Sequence, residues 1–222
     1  MIIGIVCAMD KEFDLIRGCL DRKHSYSDDT FSAITGSGRK VIVSKGGIGK
    51  VNAALCAKKL IDYGVDTIIS SGVAGAAESS INVGDIVVGN SYCYHDVWCG
   101  EHNMPGQVQG LPAVYPSSFV DWIDGIPKQN VHIGMIASGD WFVQGREKME
   151  AIKSFLPKTH NVIAVDMESA AIAQVCYKEG VKFLAIRIIS DNPMRPNQQE
   201  QYEGFWSDMA KKSFDVLYSI IK

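Results

Sequence analysis

Three carboxylates follow two apolar runs within residues 161–191 of the chain. Asp166 and Glu168 come just after the run at residues 162–165, and Asp191 ends the run that begins at Phe183. Grouped carboxylates can supply a general acid and a general base, or can bind the hydroxyl groups of a substrate. Taken singly, each acid has an ordinary alternative role at a helix N-terminus or in a turn. Together, at one edge of one sheet, they indicate a functional site.

The elements that must position these acids are a strand, a helix and a second strand. Between the two apolar runs, apolar residues recur at helical spacing from Met167 until Gly180, which is a typical stop signal. Three such elements within about thirty residues are typical of a parallel βαβ unit. The carboxyl ends of its two strands face the same edge, where ligands bind in α/β sheets. We therefore expect the three acids to lie close together.

A fourth acid, Glu12, follows the first predicted strand. Residues 2–6 are uniformly apolar, which predicts a central, buried strand. A helix follows to about Leu20 and places Glu12 in its first turn. The carboxylate either complements the helix dipole, which contributes about 0.3–1 kcal/mol, or is displayed at the same sheet edge as the other acids. The sequence leaves both interpretations open.

A glycine-rich turn at residues 45–50 leads into another predicted helix. It is not a phosphate-binding Walker loop, because Val51 follows Gly49 and Lys50 where that loop needs a serine or threonine. The backbone of such a turn can nevertheless approach a ligand closely.

Two adjacent aromatic residues, Trp141 and Phe142, follow the strand predicted at residues 132–137. Neighbouring side chains point to different sides, so we expect at least one of them to face the cleft and to stack on a flat ligand.

Two long polar segments predict loops. Residues 97–118 lack a clear period, and loops of that length are usually lids or interface elements. Residues 192–199 predict a mobile connection without helix or strand. A last amphipathic helix is predicted from about residue 201 to residue 221. Its packing residues are Phe205, Met209, Phe214, Leu217 and Ile221.

Four side chains that can bind zinc occur in the order C-x-H-x3-C-x2-H, namely Cys93, His95, Cys99 and His102. Their spacing matches no common zinc pattern, and a sheet would fix the directions of Cys93 and His95. We therefore expect no metal site and no cofactor.

Composition narrows the class of protein. The chain has 222 residues, 46% hydrophobic and 21% charged, with a net charge of −3, which predicts one α/β domain over residues 1–222. No face is obviously basic, which argues against nucleic-acid binding, and no apolar run approaches the ~20 residues of a membrane span. The first residues lead us to expect no signal peptide. The six cysteines lie mostly within predicted elements, as buried cytosolic thiols do. We expect a cytoplasmic protein that binds neither nucleic acid nor membranes.

Seven motifs spread along almost the whole chain resemble one known family. They are Gly4-Ile5 through Ala8-Met9 with Glu12, Gly47-Ile48-Gly49-Lys50-Val51, Val83-Gly84-Asp85-Ile86-Val87-Val88, Tyr94-His95-Asp96, Ser138-Gly139-Asp140, Ala164-Val165-Asp166-Met167-Glu168 and Arg187-Ile188-Ile189-Ser190-Asp191. In this order they are specific, and they resemble the 5′-methylthioadenosine/S-adenosylhomocysteine nucleosidases of the nucleoside phosphorylase superfamily. The resemblance implies a three-layer α/β/α sandwich around a twisted mixed central sheet. It also implies a homodimer whose loops cross into the partner's site.

The resemblance further implies hydrolysis of an N-glycosidic bond, with release of adenine and a 5-thioribose product. Asp191 matches the acid that protonates purine N7, Glu12 matches the base that activates water, and Glu168 matches the carboxylate that binds the ribose hydroxyls. Asp166 has no catalytic role in this scheme. The remaining matches are Met167 beside the ribose, Phe142 stacked on adenine, the Val143 backbone at the adenine edge, Ser190 holding the base and Ile48 near the sugar.

Two departures from the family pattern concern substrate preference. Val73 stands where many members have serine, which removes a hydroxyl near the expected water site. The loop around Pro105 to Leu111 is shorter than in relatives, and Gln109 lies roughly where a proline often contacts substrate. We expect these changes to affect the preferred 5′ substituent more than the reaction.

Other function classes remain open. One is a purine nucleoside phosphorylase or a hydrolase of another nucleoside such as futalosine, and another is a non-catalytic nucleoside-binding protein. Binding alone needs neither a general acid nor a general base, so Glu12 and Asp191 favour catalysis. The phosphorylases hold phosphate with arginines and a serine, where this chain has Asp10-Lys11-Glu12, Ser70 and Val73. The sequence therefore favours water over phosphate as second substrate.

Overall fold

The computed structural model describes residues 2–21, 23–118, 129–208, 210, 211 and 214. Within these residues the chain forms ten strands and five helices. The strands are β1 (Ile2–Cys7), β2 (His24–Ser27), β3 (Thr30–Ile34), β4 (Lys40–Lys45), β5 (Thr67–Ala76), β6 (Ile86–Tyr94), β7 (Tyr115–Pro116), β8 (Val131–Ser138), β9 (Val162–Asp166) and β10 (Lys182–Asp191). The helices are α1 (Asp10–Cys19), α2 (Lys50–Asp62), α3 (Gly145–Phe155), α4 (Ser169–Glu179) and α5 (Gln198–Asp208).

All ten strands belong to one mixed sheet. Its order is β10-β6-β8-β9-β5-β1-β4-β3-β2, with β7 beside β6 and a further pairing between β10 and β5. Because β10 pairs with both β5 and β6, five strands close into a ring, and β1, β4, β3 and β2 extend from β5. β1 is parallel to β4 and β5, whereas β6 and β10 are antiparallel.

Helices cover both faces of this sheet because strand residues alternate between the faces. On β1, Ile3 and Ile5 pack in the cluster that contains Phe13 of α1, whereas Val6 packs in the cluster that contains Leu60 of α2. Burying one such side chain contributes about 1.5–3 kcal/mol. α4 joins the α2 side, and α5 joins the α1 side. The expected α/β/α sandwich around a twisted mixed sheet is confirmed.

The strand–helix–strand order predicted for residues 161–191 is present as β9, α4 and β10. The prediction that the two strands form a parallel βαβ unit is wrong. In the described sheet β5 lies between the two strands, parallel to β10 and antiparallel to β9. The expected convergence of the acids still holds, because Gly75 of β5 pairs with Val165 on one side and with Asp191 on the other. The end of β5 therefore brings the ends of β9 and β10 together.

The last helix begins earlier than predicted, at Gln198. The connection before it is tied to the core, because Asn192 is buried and its side-chain amide donates to the carbonyls of Glu78 and Ile81, both at 2.9 Å. Phe205 and Phe214 are buried as predicted. Met209, Leu217 and Ile221 lie outside the described residues. None of the described helices is long and apolar enough to cross a membrane.

Candidate active site

One cavity lies at the carboxyl ends of β1, β5, β9 and β10, and all eight predicted site residues line it. They are Glu12, Ile48, Phe142, Val143, Met167, Glu168, Ser190 and Asp191. Each of the four strands ends in a turn or helix start, so the chain displays short side chains and backbone groups there. The sequence therefore locates the cavity, although the roles of its residues remain predictions.

Glu12 is buried, and its carboxylate is held by three backbone N–H groups. Oε2 accepts from Ala8 at 2.9 Å and from Met9 at 3.0 Å, and Oε1 accepts from Val73 at 3.0 Å. Burial raises the pKa of Glu12, while these hydrogen bonds and the charge of Arg187 oppose the rise. The carboxylate thus serves the helix N-terminus and also lines the cavity, so the two interpretations are compatible.

Glu168 faces the glycine-rich turn. Its Oε1 accepts the backbone N–H of Gly49 at 3.0 Å, a contact between residues far apart in the chain. Gly49 has φ of 95°, a left-handed conformation that favours glycine. Burial, followed by the negative charge of Asp166, raises the pKa of Glu168 to about 7. This carboxyl group therefore changes charge near neutral pH.

A buried ion pair joins Asp166, which lines the cavity, to Arg187. Arg187 Nε donates to Asp166 Oδ2 at 2.8 Å, and another guanidinium nitrogen donates to Ser70 Oγ at 2.8 Å. The hydroxyls of Ser138 and Ser169 also donate to Asp166. The sequence predicted no role for Arg187, although a charged residue in the middle of the apolar strand β10 was an available signal. Asp166 thus holds the guanidinium in place.

Asp191 is buried at the end of β10. Ser190 Oγ donates to Asp191 Oδ1 and the side-chain amide of Gln198 donates to Oδ2, both at 2.6 Å. Burial raises the pKa of Asp191, and these two hydrogen bonds oppose the rise. A buried carboxyl group of raised pKa is suited to carry a proton. Sequence reasoning missed Gln198, because it lies in the segment predicted to have no regular structure.

The apolar wall of the cavity contains three aromatic rings. Trp141 and Phe142 both line the cavity and are about half exposed. The sequence predicted that at least one of the two would face the cleft, and both do. Tyr202 of α5, which the sequence did not single out, packs edge-to-face on Phe142 with ring centroids 5.8 Å apart. Flat rings at an open cavity are suited to stack on a planar ligand.

The motifs that contain Asp96 and Asp140 contact Lys50, which ends the glycine-rich turn. Lys50 Nζ donates to Asp96 Oδ2 at 2.7 Å, and the Lys50 backbone N–H donates to Asp140 Oδ1 at 2.8 Å. Asp96 also accepts the backbone N–H of Asp140 at 2.8 Å. These contacts fix the start of α2 and hence the Gly49 N–H that meets Glu168.

The four residues that could bind zinc differ in their exposure to solvent. Cys93 and His95 are buried near the end of β6, whereas Cys99 is exposed in the following loop. Among the described residues, no three His, Cys, Asp or Glu side chains are grouped so that they could hold a metal ion.

Comparison with known proteins identifies the class. A family model described as the phosphorylase superfamily matches residues 2–222. The chain belongs to the phosphorylase superfamily.

Particular relatives within that class are similar over nearly their whole length. A 5′-methylthioadenosine/S-adenosylhomocysteine nucleosidase from Staphylococcus aureus is 35% identical over 229 residues, with 99% of each chain covered. The structure of that nucleosidase from S. pneumoniae with a transition-state inhibitor, MT-ImmA, has a TM-score of 0.90 and 33% identity, covering 100% of this chain and 99% of that one. Futalosine hydrolase of Helicobacter pylori has a TM-score of 0.85 and 26% identity, covering 100% and 97%. The resemblance drawn from the seven motifs is confirmed.

Proposed function

We propose that the protein hydrolyses the N-glycosidic bond of 5′-methylthioadenosine, of S-adenosylhomocysteine or of both, releasing adenine and a 5-thioribose product. The nucleosidases from Staphylococcus aureus and S. pneumoniae match nearly the whole chain, which supports an enzyme that cleaves nucleosides. The observation that carries the proposal is the charge of the cavity wall. Its described lining contains the carboxyl groups of Glu12, Asp166, Glu168 and Asp191 and no lysine, arginine or histidine.

This charge favours water over phosphate as the second substrate. Phosphate binding is best served by planar guanidinium groups that donate two hydrogen bonds. The guanidinium of Arg187 is buried and already bonded to Asp166 and Ser70. An anionic Glu12 would repel phosphate, whereas the same carboxylate can accept a proton from water. The cavity is thus suited to hydrolysis.

In the proposed reaction, the bond between ribose C1′ and adenine N9 breaks and its electron pair leaves with the base. The oxygen of water bonds to C1′, which becomes positively charged as the bond breaks. Glu12 accepts the proton that water loses, and Asp191 gives a proton to N7 of the departing adenine. The raised pKa values of both carboxyl groups suit these roles, because a catalytic acid or base works best near the operating pH.

The other predicted residues bind the substrate in this proposal. Glu168 has one oxygen bonded to Gly49 and retains lone pairs for the ribose hydroxyls. Its negative charge also stabilises the positive ribose, so the contact strengthens in the transition state. Phe142 stacks on adenine, the Val143 backbone binds the adenine edge, and Ser190 helps to hold the base. Met167 and Ile48 pack against the sugar.

A hydrolase of futalosine is the second candidate. It is supported by the likeness to the Helicobacter pylori enzyme, although the identity of 26% is lower than the 33% to the S. pneumoniae nucleosidase. Val73, in place of the family's serine, lines the cavity and alters the region near the expected water.

We also propose that the protein acts as a cytoplasmic homodimer. Trp98 and Met104 in the loop at residues 97–118, and Val51 and Leu55 on α2, are large apolar side chains exposed by 45–71%. The contact of Lys50 with Asp96 links the start of α2 to the start of this loop. Exposed apolar side chains on linked elements are typical of interfaces between subunits. The six free cysteines support a reducing compartment.

The experiment that tests the substrate is a comparison of nucleosides. The enzyme is incubated with methylthioadenosine, adenosylhomocysteine, adenosine, inosine and futalosine, and the released base is measured for each. We expect adenine from the two thio-nucleosides at the highest kcat/KM. Asp191→Asn should abolish most of this release, while Asp21→Asn, at an exposed aspartate, should not. Base release from futalosine alone would contradict the proposal in favour of the second candidate.

A further inference from the structure

Gln198, the first residue of α5, makes three hydrogen bonds behind the cavity wall. Its Nε2 donates to Asp191 Oδ2 at 2.6 Å and to the Val143 carbonyl at 2.8 Å. Its Oε1 accepts the backbone N–H of Gly145, the first residue of α3, at 2.8 Å. The side chain is buried. One amide thus joins both groups that the proposed function places around the base.

The orientation of this amide is determined by its partners. The Gly145 N–H can only donate, and the Val143 carbonyl can only accept. A reversed amide would leave the Gly145 N–H without its acceptor and would bring Oε1 against the Val143 oxygen. Nε2 therefore faces Asp191, and an amide nitrogen donates hydrogen bonds without accepting them.

The two oxygens of Asp191 consequently differ. Oδ2 faces Gln198, which only donates, so a proton on Oδ2 would be opposed by the amide hydrogen. Oδ1 faces the hydroxyl of Ser190, which can rotate and also lies 3.4 Å from the Ala74 carbonyl. When the Ser190 hydrogen turns to that carbonyl, Oδ1 is free to carry a proton.

We propose that Gln198 is a positioning residue that confines the catalytic proton of Asp191 to Oδ1 and keeps this carboxyl group aligned with the Val143 carbonyl. The proposal rests on the proposed function, in which Asp191 protonates N7. When the proton leaves Oδ1 for N7, the Asp191 carboxylate is left accepting hydrogen bonds from Ser190 and Gln198. Both donors stabilise that anion, so they make Asp191 a stronger acid.

Burial has the largest influence on the pKa of Asp191, and Ser190 and Gln198 are the hydrogen-bond donors that oppose it. The ionisable groups that line the same cavity are Glu12 on α1, Asp166 and Glu168 at the end of β9, and the phenol of Tyr202 on α5. Gly75 of β5, which pairs with Asp191, brings no charge.

The test compares Gln198→Met with Gln199→Met. Methionine keeps the length of the side chain but cannot donate to Asp191, whereas Gln199 is exposed on the same turn and serves as the matched control. For Gln198→Met we expect kcat to fall by about 10- to 100-fold, the range for a lost hydrogen bond to a charged group, with a smaller change in KM. The alkaline limb of the kcat–pH profile should move to higher pH, because the anion of Asp191 loses a donor.

A purely structural role of Gln198 would lower the amount of folded enzyme without moving the alkaline limb. If Gln198→Met fails to fold, Gln198→Glu keeps the shape and the acceptor for Gly145. Its negative charge should also move the limb to higher pH. If Asp191→Asn is inactive but the alkaline limb of the kcat–pH profile stays unshifted in either folded Gln198 variant, the role of Gln198 alone is overturned. An Asp191→Asn enzyme with normal kcat would overturn the proposed acid and this inference with it.

Discussion

Glu168→Gln should make the protein more stable at alkaline pH while it impairs catalysis. Burial and the charge of Asp166 raise the pKa of Glu168 from 4.5 to about 7. The folded state therefore binds this proton more tightly than the unfolded chain does, and the free energy of unfolding falls as pH rises from about 4.5 to about 7. At about 1.36 kcal/mol per pH unit, this rise corresponds to about 3 kcal/mol.

Glutamine removes that titration and keeps an oxygen for the Gly49 N–H, which now bonds Glu168 at 3.0 Å. In urea unfolding at pH 8, we expect Glu168→Gln to be about 3 kcal/mol more stable than the parent. At pH 5, where the folded parent carries the proton but the unfolded chain is already largely ionised, the difference should shrink to about 1 kcal/mol. Glu150→Gln is the control, because that side chain is 58% exposed on α3. Equal stabilisation at both pH values would refute the reasoning.

The remaining predictions concern the two sides of the reacting bond. Glu12→Gln should lower kcat by about 10²- to 10⁴-fold with little change in adenine affinity by calorimetry, and an unchanged kcat would remove Glu12 as the base. In Gly72→Ala the new Cβ would lie 2.7 Å from Glu12 Oε1. We expect a lower kcat and a loss of about 1–3 kcal/mol in urea unfolding, whereas Gly18→Ala, with no atom within 4 Å, should not reduce either. The 2′-deoxy and 3′-deoxy nucleosides should show lower kcat as well as higher KM, and equal turnover would remove Glu168 from ribose binding.

The sequence predicts the position of the site well because the acids sit where apolar runs end. Asp166 and Asp191 close β9 and β10, and Glu12 follows β1, so strand periodicity alone brings them to strand ends. Which strands pair with each other could not be predicted from apolar runs in the same way. A local pattern contains no information about which strand becomes the neighbour, so the position of β5 between β9 and β10 needed the structure.

The residues that sequence reasoning missed act through long-range contacts. Arg187 reaches Ser70, and Gln198 reaches Val143, across segments distant in the chain. The prolines before α5 obscured the start of that helix, and Gln198 was therefore not predicted to belong to it. The homodimer and the cytoplasmic location remain predictions, as do the individual roles of the site residues.

The central claim is hydrolysis at a cavity lined by carboxylates, and product identification tests it most directly. The enzyme is assayed with methylthioadenosine in phosphate-free buffer and again with millimolar phosphate, and the sugar product is identified each time. The account predicts adenine and free methylthioribose at the same rate in both buffers. A rate that depends on phosphate, with a ribose 1-phosphate product, would contradict it.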